Sequence, residues 1–335
     1  MKGIVVKDVQ KLATEDFPMP EAEESYVVIK VTYCGICGSD RHFWNAAWIR
    51  DIIIGHEFVG TISDAGASSF KEGDRVVAMG FNACGVCDFC SKGMPNLCVQ
   101  GSMSTLGTGV NGGYAEYVKV LESMVRKLPD GVSDKQGALV EPASVAMHAL
   151  NIAGVSEKSR VLITGAGAIG LTVAACAKAL GAEFVGTTAR NPKRIEAAKA
   201  RPYVDVAFDG KDPKLKETIL KEAGSITHVF ECSGADALFA LAAEVIAPQG
   251  KIVIVGQPSN DMKFPGSTLF LKEAVVYSSF IYTPVDFEQV ISLMASGKLD
   301  IEDLATSIVP FDGVQAMFEQ LESGVSSEIK VLIEA

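Results

Sequence analysis

The sequence predicts an α/β protein with two cores: an antiparallel β domain, then a doubly wound parallel sheet. Three observations lead there. Short β-rich runs bounded by Gly, Asp and Ser fill the first part of the chain. From about Pro142 strand runs alternate with helical runs, the pattern of a parallel sheet covered on both faces. At 335 residues the chain is long enough for two domains.

The elements follow in order. Tyr26–Thr32, Phe58–Ile62 and Arg75–Ala78 read as strands of a compact barrel or sandwich. Ala143–Ala153 carries apolar residues at helical spacing. Then come a strand at Arg160–Thr164, a helix at Ile169–Leu180 and a strand at Phe184–Thr188. Ile226–Glu231 and Lys251–Val255 add two strands. Residues 286–296 and 312–322 read as amphipathic helices, each opened by an Asp suited to capping. Glu328–Glu334 alternates like a final strand. No linker rich in Pro, Gly or Ser marks a boundary.

Composition narrows the function. Apolar residues make up 48% and charged residues 21%, ordinary for a soluble globular protein. No run of about 18 uncharged apolar residues exists, so no membrane span is expected. The stretch Met1–Lys11 carries charges where a secretory signal has an apolar run. The eight cysteines are therefore expected as thiols in a reducing, cytoplasmic setting. The net charge of −11 argues against nucleic acid, which prefers a basic face.

Cys84, Cys87, Cys90 and Cys98 form a C-x2-C-x2-C-x7-C run, the densest chemical signal in the chain. Short gaps let one loop, at about residues 80–100, bring four sulfurs to a tetrahedral zinc. The bacterial iron–sulfur pattern needs a shorter last gap and a proline, and matches neither. Four sulfur ligands leave no open position, so this metal is expected to be structural.

Gly165, Gly167 and Gly170 make a G-x-G-x-x-G loop between the strand VLIT and the helical run LTVAACAKAL. In that context the loop reads as a dinucleotide site, with Ala168 and Ile169 at the helix start and the phosphates on free N–H groups. A carboxylate about 20 residues on would select NAD by holding the ribose. Here the next strand ends in Thr188, Ala189 and Arg190, with Lys193 and Arg194 behind. Two unit charges about 4 Å apart interact by about 4 kcal/mol at an effective dielectric near 20, so a carboxylate there would repel a 2′-phosphate. Ala189 removes that repulsion, Arg190 and Arg194 offer forks for the phosphate, and Thr188 adds a hydroxyl. NADP(H) is expected over NAD(H).

A second ligand set is Cys37 with His56 and Glu57, and Glu141 comes later in LVEPAS. One thiolate, one imidazole and one or two carboxylates suit a zinc with an open position, which lowers the pKa of an alcohol. Singly, such a histidine is more often a satisfied core residue and such a buried glutamate more often an ion-pair partner; their value comes from occurring beside a nucleotide fold and a cysteine loop. Cys34, Cys176 and Cys232 read as core residues.

Together these motifs, with Gly113-Tyr-Ala-Glu-Tyr117 and Glu141-Pro142, resemble the zinc-dependent medium-chain alcohol dehydrogenases, most of all the polyol (sorbitol) branch. The likeness covers nearly the whole chain. It implies a GroES-like β-barrel catalytic domain at 1–150, a Rossmann domain at 151–284, and a return to the first domain at 285–335. It also implies a catalytic zinc on Cys37, His56 and Glu57, with Glu141 holding the metal-bound water or exchanging onto the metal. Asp40 would orient His56, and Ser39 and His42 would carry the substrate's proton outwards. The implied enzyme interconverts an alcohol and a ketone or aldehyde with NAD(P), as a homodimer or homotetramer.

Two departures stand out. Ser278–Thr283 carries Ile281 where the polyol branch usually has an arginine, while Tyr282 remains. The loop between Trp44 and Gly55 is short for the family. A shorter or more apolar substrate is therefore expected, with Phe43, Trp44 and Tyr282 as pocket candidates. A short diol, an amino-alcohol or a sugar acid is the alternative substrate, and a non-catalytic NADP-binding sensor the alternative of another class.

Overall fold

The structure, a computed structural model, describes residues 1–101, 105–257 and 261–335. Two compact units emerge: Met1–Glu141 with Thr283–Ala335, and Pro142–Tyr282.

The first unit holds strands β1 (Lys2–Asp8), β2 (Lys11–Asp16), β3 (Tyr26–Gly35), β4 (Glu57–Asp64), β5 (Arg75–Ala78), β6 (Tyr117–Leu121) and β7 (Val125–Lys127). The second holds β8 (Arg160–Thr164), β9 (Phe184–Ala189), β10 (Val206–Asp209), β11 (Ile226–Glu231), β12 (Ile246–Ile254) and β13 (Val275–Ser278). The chain then returns to the first unit with β14 (Ala305–Pro310) and β15 (Lys330–Glu334).

β3 organises the first unit. Its first half pairs antiparallel with β6, its last three residues pair with β15, and β4 runs beside its length. Val27, Val28, Ile29 and Val31 of β3 are buried, as β-branched side chains in a central strand should be. β1 and β2 form a separate hairpin.

A helix absent from the sequence reading, Gly38–Ala46, follows β3. Only Asp40 and Trp44, one turn apart, are buried on it. Trp44 packs edge-on against Phe318, ring centroids 5.6 Å apart, and is 2% exposed. That is a core role, in place of the substrate contact expected of it.

Two capping expectations need correction. The helix Pro284–Ala295 is opened by Thr283, with Asp286 in its first turn. Thr283 N–H donates to Asp286 (2.8 Å) and Asp286 N–H donates to Thr283 Oγ1 (3.3 Å), a reciprocal box entered through Pro284. The helix Val314–Glu322 has Gly313 as its cap, and Asp312 sits in the preceding 3-10 turn.

The second unit is one sheet, all parallel, in the order β10-β9-β8-β11-β12-β13. β10 and β13 were not read from the sequence; both have only four residues. The strand order reverses between β8 and β11, so the ligand crevice of such a sheet lies at their carboxyl ends. The helix Val140–Ala153 starts earlier than expected, because Pro142 lies in its first turn, where a missing N–H costs nothing. Among the described residues no helix is long and apolar enough to cross a membrane.

Candidate metal centre and dinucleotide loop

The first unit brings Cys37, His56 and Glu57 together: one ligand atom from each lies within 4.8 Å of the others. Cys37 is the cap residue of the Gly38–Ala46 helix, in extended backbone. His56 ends the loop before β4 and Glu57 opens that strand. Two glycines make room. A Cβ on Gly35 would lie 2.2 Å from the Glu57 carboxylate, and one on Gly55, whose φ is +93°, would lie 2.1 Å from the Tyr114 ring.

The surrounding groups fix this set. Asp40 Oδ2 accepts from the Cys37 N–H (2.9 Å) and the Tyr114 hydroxyl (2.7 Å). Its other oxygen lies 3.7 Å from His56 Nδ1, too far for a direct hydrogen bond. Lys330, on β15, donates to both Glu57 oxygens at 2.8 and 2.6 Å and to the Ile36 carbonyl at 3.0 Å. Lys330 and Glu57 are both buried.

The electrostatics describe a site shaped for a cation. Burial opposes a charge on His56, but Cys37 and Asp40 outweigh it and hold the imidazole well above its ordinary value. Burial lifts the Asp40 carboxyl above its ordinary range despite nearby His56. Burial opposes the Lys330 charge too, yet Glu57 and Cys37 hold it above the ordinary lysine value. Glu141 is buried and contributes to the fields at both His56 and Lys330. Ser39 Oγ and Asp40 Oδ1 are buried without a hydrogen-bond partner among the described residues. A soft thiolate, an imidazole and a carboxylate beside orphaned acceptors fit a zinc ion with an open position.

His42 follows Ser39 by one helical turn and is exposed. It borders a cleft of 390 Å³ with Arg41, Asn45, Trp48 and Glu322. Phe43 is half-buried.

The four other candidate ligands converge as well. The sulfurs of Cys84, Cys87, Cys90 and Cys98 lie within 4.8 Å of one another, with Cys84–Cys90 at 3.9 Å and Cys87–Cys90 at 3.5 Å. Zn–S bonds of about 2.3 Å in a tetrahedron place sulfurs about 3.8 Å apart, between those two separations. Backbone N–H groups of Cys90 and Val99 bring the Cys87 thiol down to about 6, so it is a thiolate at neutral pH. Val86 and Val99 are exposed, so the lobe has little apolar core to hold it. All eight cysteines are free of disulfides.

In the second unit, β8 ends at Thr164 and the helix Ala168–Ala179 begins with Gly167 as its cap. A Cβ on Gly170 would meet the Gly165 carbonyl oxygen at 1.8 Å, so only glycine permits this turn. A Cβ on Gly167 would meet nothing nearer than Arg194, 3.9 Å away, which leaves the N-terminus of the helix open with Ala168 and Ile169 at its start. Thr188 and Ala189 are buried at the end of β9, and Arg190 is exposed. Neither Arg190 nor Arg194 has an ion-pair partner among the described residues. Tyr282 is fully buried. Ile281, just before it, has φ +55°, a conformation that strains a β-branched side chain.

Sequence reasoning missed Lys330 and the role of Tyr114. Lys330 lies in an alternating strand pattern, and nothing local marks it as a partner for Glu57, 273 positions away. Tyr114 stood only as part of a motif.

Two family models match this chain: the alcohol dehydrogenase GroES-like domain over residues 23–130 and the zinc-binding dehydrogenase over 168–296. A probable D-xylulose reductase A from Aspergillus fumigatus is 32% identical over 99% of this chain and 96% of its own length. An alcohol dehydrogenase from Escherichia coli CFT073, solved with NADH, is 28% identical with a TM-score of 0.91, over 100% of this chain and 99% of that one. A zinc-binding dehydrogenase from Sinorhizobium meliloti 1021, bound to NADP, is 25% identical with a TM-score of 0.92 over the same shares. This chain belongs to the zinc-binding, medium-chain alcohol dehydrogenase family, with a GroES-like and a Rossmann-type domain, and is an oxidoreductase.

Proposed function

We propose that the protein interconverts a short polyol or secondary alcohol and its ketose or ketone, with a zinc ion at Cys37, His56 and Glu57 and NADP(H) as the preferred dinucleotide. The carrying observation is the convergence of those three ligand atoms, with the Ser39 hydroxyl, two residues on from Cys37, buried and without a hydrogen-bond partner among the described residues. The D-xylulose reductase relative supports a polyol or ketose substrate.

When bound, zinc supplies Lewis acidity at the reacting hydroxyl. The chain's own residues do the rest. Ser39 Oγ, buried and unpartnered, accepts the hydroxyl proton, and His42, one turn on, passes it to solvent through the cleft it borders. Asp40 stays fixed by Tyr114 and Cys37 N–H and favours one orientation of His56. Lys330 holds Glu57, and Glu141 would hold a metal-bound water or serve as a further ligand. Cys84, Cys87, Cys90 and Cys98 hold a second, structural zinc. In this reading residues 1–150 and 285–335 carry the chemistry and 151–284 the dinucleotide.

NADP preference rests on Ala189 and the two arginines without carboxylate partners, Arg190 and Arg194. Relatives solved with NADH and with NADP share this fold, so the strand end decides. We also read the protein as a cytoplasmic homo-oligomer. β13 is an edge strand, and near it Phe270 and Leu271 are each 81% exposed, an apolar surface a second copy would cover.

The test is a screen of polyols, secondary alcohols and ketoses with both cofactors, with and without a zinc chelator. Chelator-sensitive turnover with a higher kcat/KM for NADP supports the proposal. Turnover that survives zinc removal would end the zinc role, and a preference for NAD would end the cofactor assignment alone.

A further inference from the structure

Glu231 is the last residue of β11 and fully buried, with no cation beside it among the described residues. Four donors satisfy it instead. Oε1 accepts from Ser233 N–H (2.9 Å), from the Ser233 hydroxyl and from the Thr164 hydroxyl (3.3 Å). Oε2 accepts from Gly234 N–H at 2.8 Å. Its main-chain carbonyl takes two more, from Val255 and Gly256 N–H, both at 2.8 Å.

The position matters more than the count. Thr164 and Glu231 are paired in register as the last residues of β8 and β11. Those are the strands between which the sheet order reverses, so their side chains form the floor of the crevice where a dinucleotide lies. Thr164 leads directly into the Gly165–Gly170 loop. From the other side, Ser233 Cβ lies 3.4 Å from where a Cβ on Gly165 would be. Gly256 lets the 232–234 segment tuck down: a Cβ there would lie 2.7 Å from the Cys232 carbonyl carbon. One carboxylate thus ties the phosphate loop after β8 to the loop after β11. Burying a carboxylate is costly unless every acceptor site is used, and a core would gain more from an apolar residue.

The geometry points to Glu231 as a positioning residue for the dinucleotide, setting the spacing of the two loops that flank it. The inference rests on the cofactor reading above. Glu231→Gln turns one acceptor into a donor, so Ser233 or Gly234 N–H loses its partner. Thr164→Val removes only the bond across the crevice floor.

The experiment titrates NADP+ and NAD+ into the zinc-loaded parent, Glu231→Gln, Thr164→Val and the double variant by calorimetry, with steady-state kinetics alongside. The expected result for Glu231→Gln is a Kd and KM for NADP+ raised about tenfold, with kcat at saturating NADP+ reduced less than threefold. Thr164→Val should raise Kd about threefold, and the double variant should add that loss to the loss of Glu231→Gln, since the two substitutions remove different bonds. Dinucleotide Kd within twofold of the parent in the folded variants would overturn the inference, as would a fall in kcat with KM unchanged. If Glu231→Gln does not fold, Thr164→Val decides alone. A parent that binds neither dinucleotide would refute the cofactor reading itself, a separate outcome.

Discussion

Lys330 is the residue on which the balance of charge at the candidate metal centre rests. It reaches Glu57 at 2.6 Å with both side chains almost wholly out of water. Replacing it by methionine would leave Glu57 buried without its cation. Removing one partner of such a pair costs about 3–5 kcal/mol, most of it the uncompensated charge. Lys330→Met is therefore expected to lower stability by that order in urea unfolding of the metal-free protein. Added zinc, itself a cation at Glu57, should recover part of the loss. A variant as stable as the parent would show that Glu57 is not held in this way. The contrast with Cys37, His56 and Glu57 shows what a sequence can display. Those three sit in short motifs whose residue types are unusual together. Lys330 becomes a partner only because β15 pairs with β3 beside β4, a register no local pattern encodes. Trp44 illustrates the reverse: an aromatic beside reactive residues looks like a pocket wall, and its packing on Phe318 is visible only in three dimensions.

Among elements, apolar pattern between turn signals made some legible and left others unread. β3, β4 and the helix after the glycine loop follow from pattern, and so does β5 with only four residues. β10 and β13, of the same length as β5, do not, nor do the longer β1, β2 and β14. The Gly38–Ala46 helix was hidden because only two of its nine residues face the interior. The cysteine lobe needed no periodicity, since its spacing alone marks the four candidate ligands. Its thiols shift in opposite directions without metal: burial pushes Cys90 up to about 12, while backbone N–H groups bring Cys87 down. Cys87 lies at about 6 when folded, below its ordinary value near 9. A depressed thiol contributes stability above its unfolded value and loses it as pH falls through the folded one. Protons compete with zinc for the four thiolates, so zinc release from this lobe is expected to accelerate as pH falls from 7 to 5, read with a colorimetric zinc indicator. Release with no change between pH 7 and pH 5 would contradict the thiolate assignment.

At the scale of the whole molecule, both chain ends build one unit and the middle of the chain builds the other. The alternation of strands and helices after Pro142 made the second legible. The first depended on a returning C-terminal strand that completes a sheet begun some 300 residues earlier. That return also delivers Lys330 to Glu57, so the architecture of the unit and the charge pairing at its candidate metal centre have one origin. The most direct measurement is zinc per chain, by elemental analysis, in the parent and in Cys37→Ala, alongside dehydrogenase turnover. The account predicts two zinc ions in the parent, one in the folded variant, and turnover lost with the missing ion. A folded Cys37→Ala that keeps both ions or still turns over substrate would contradict it.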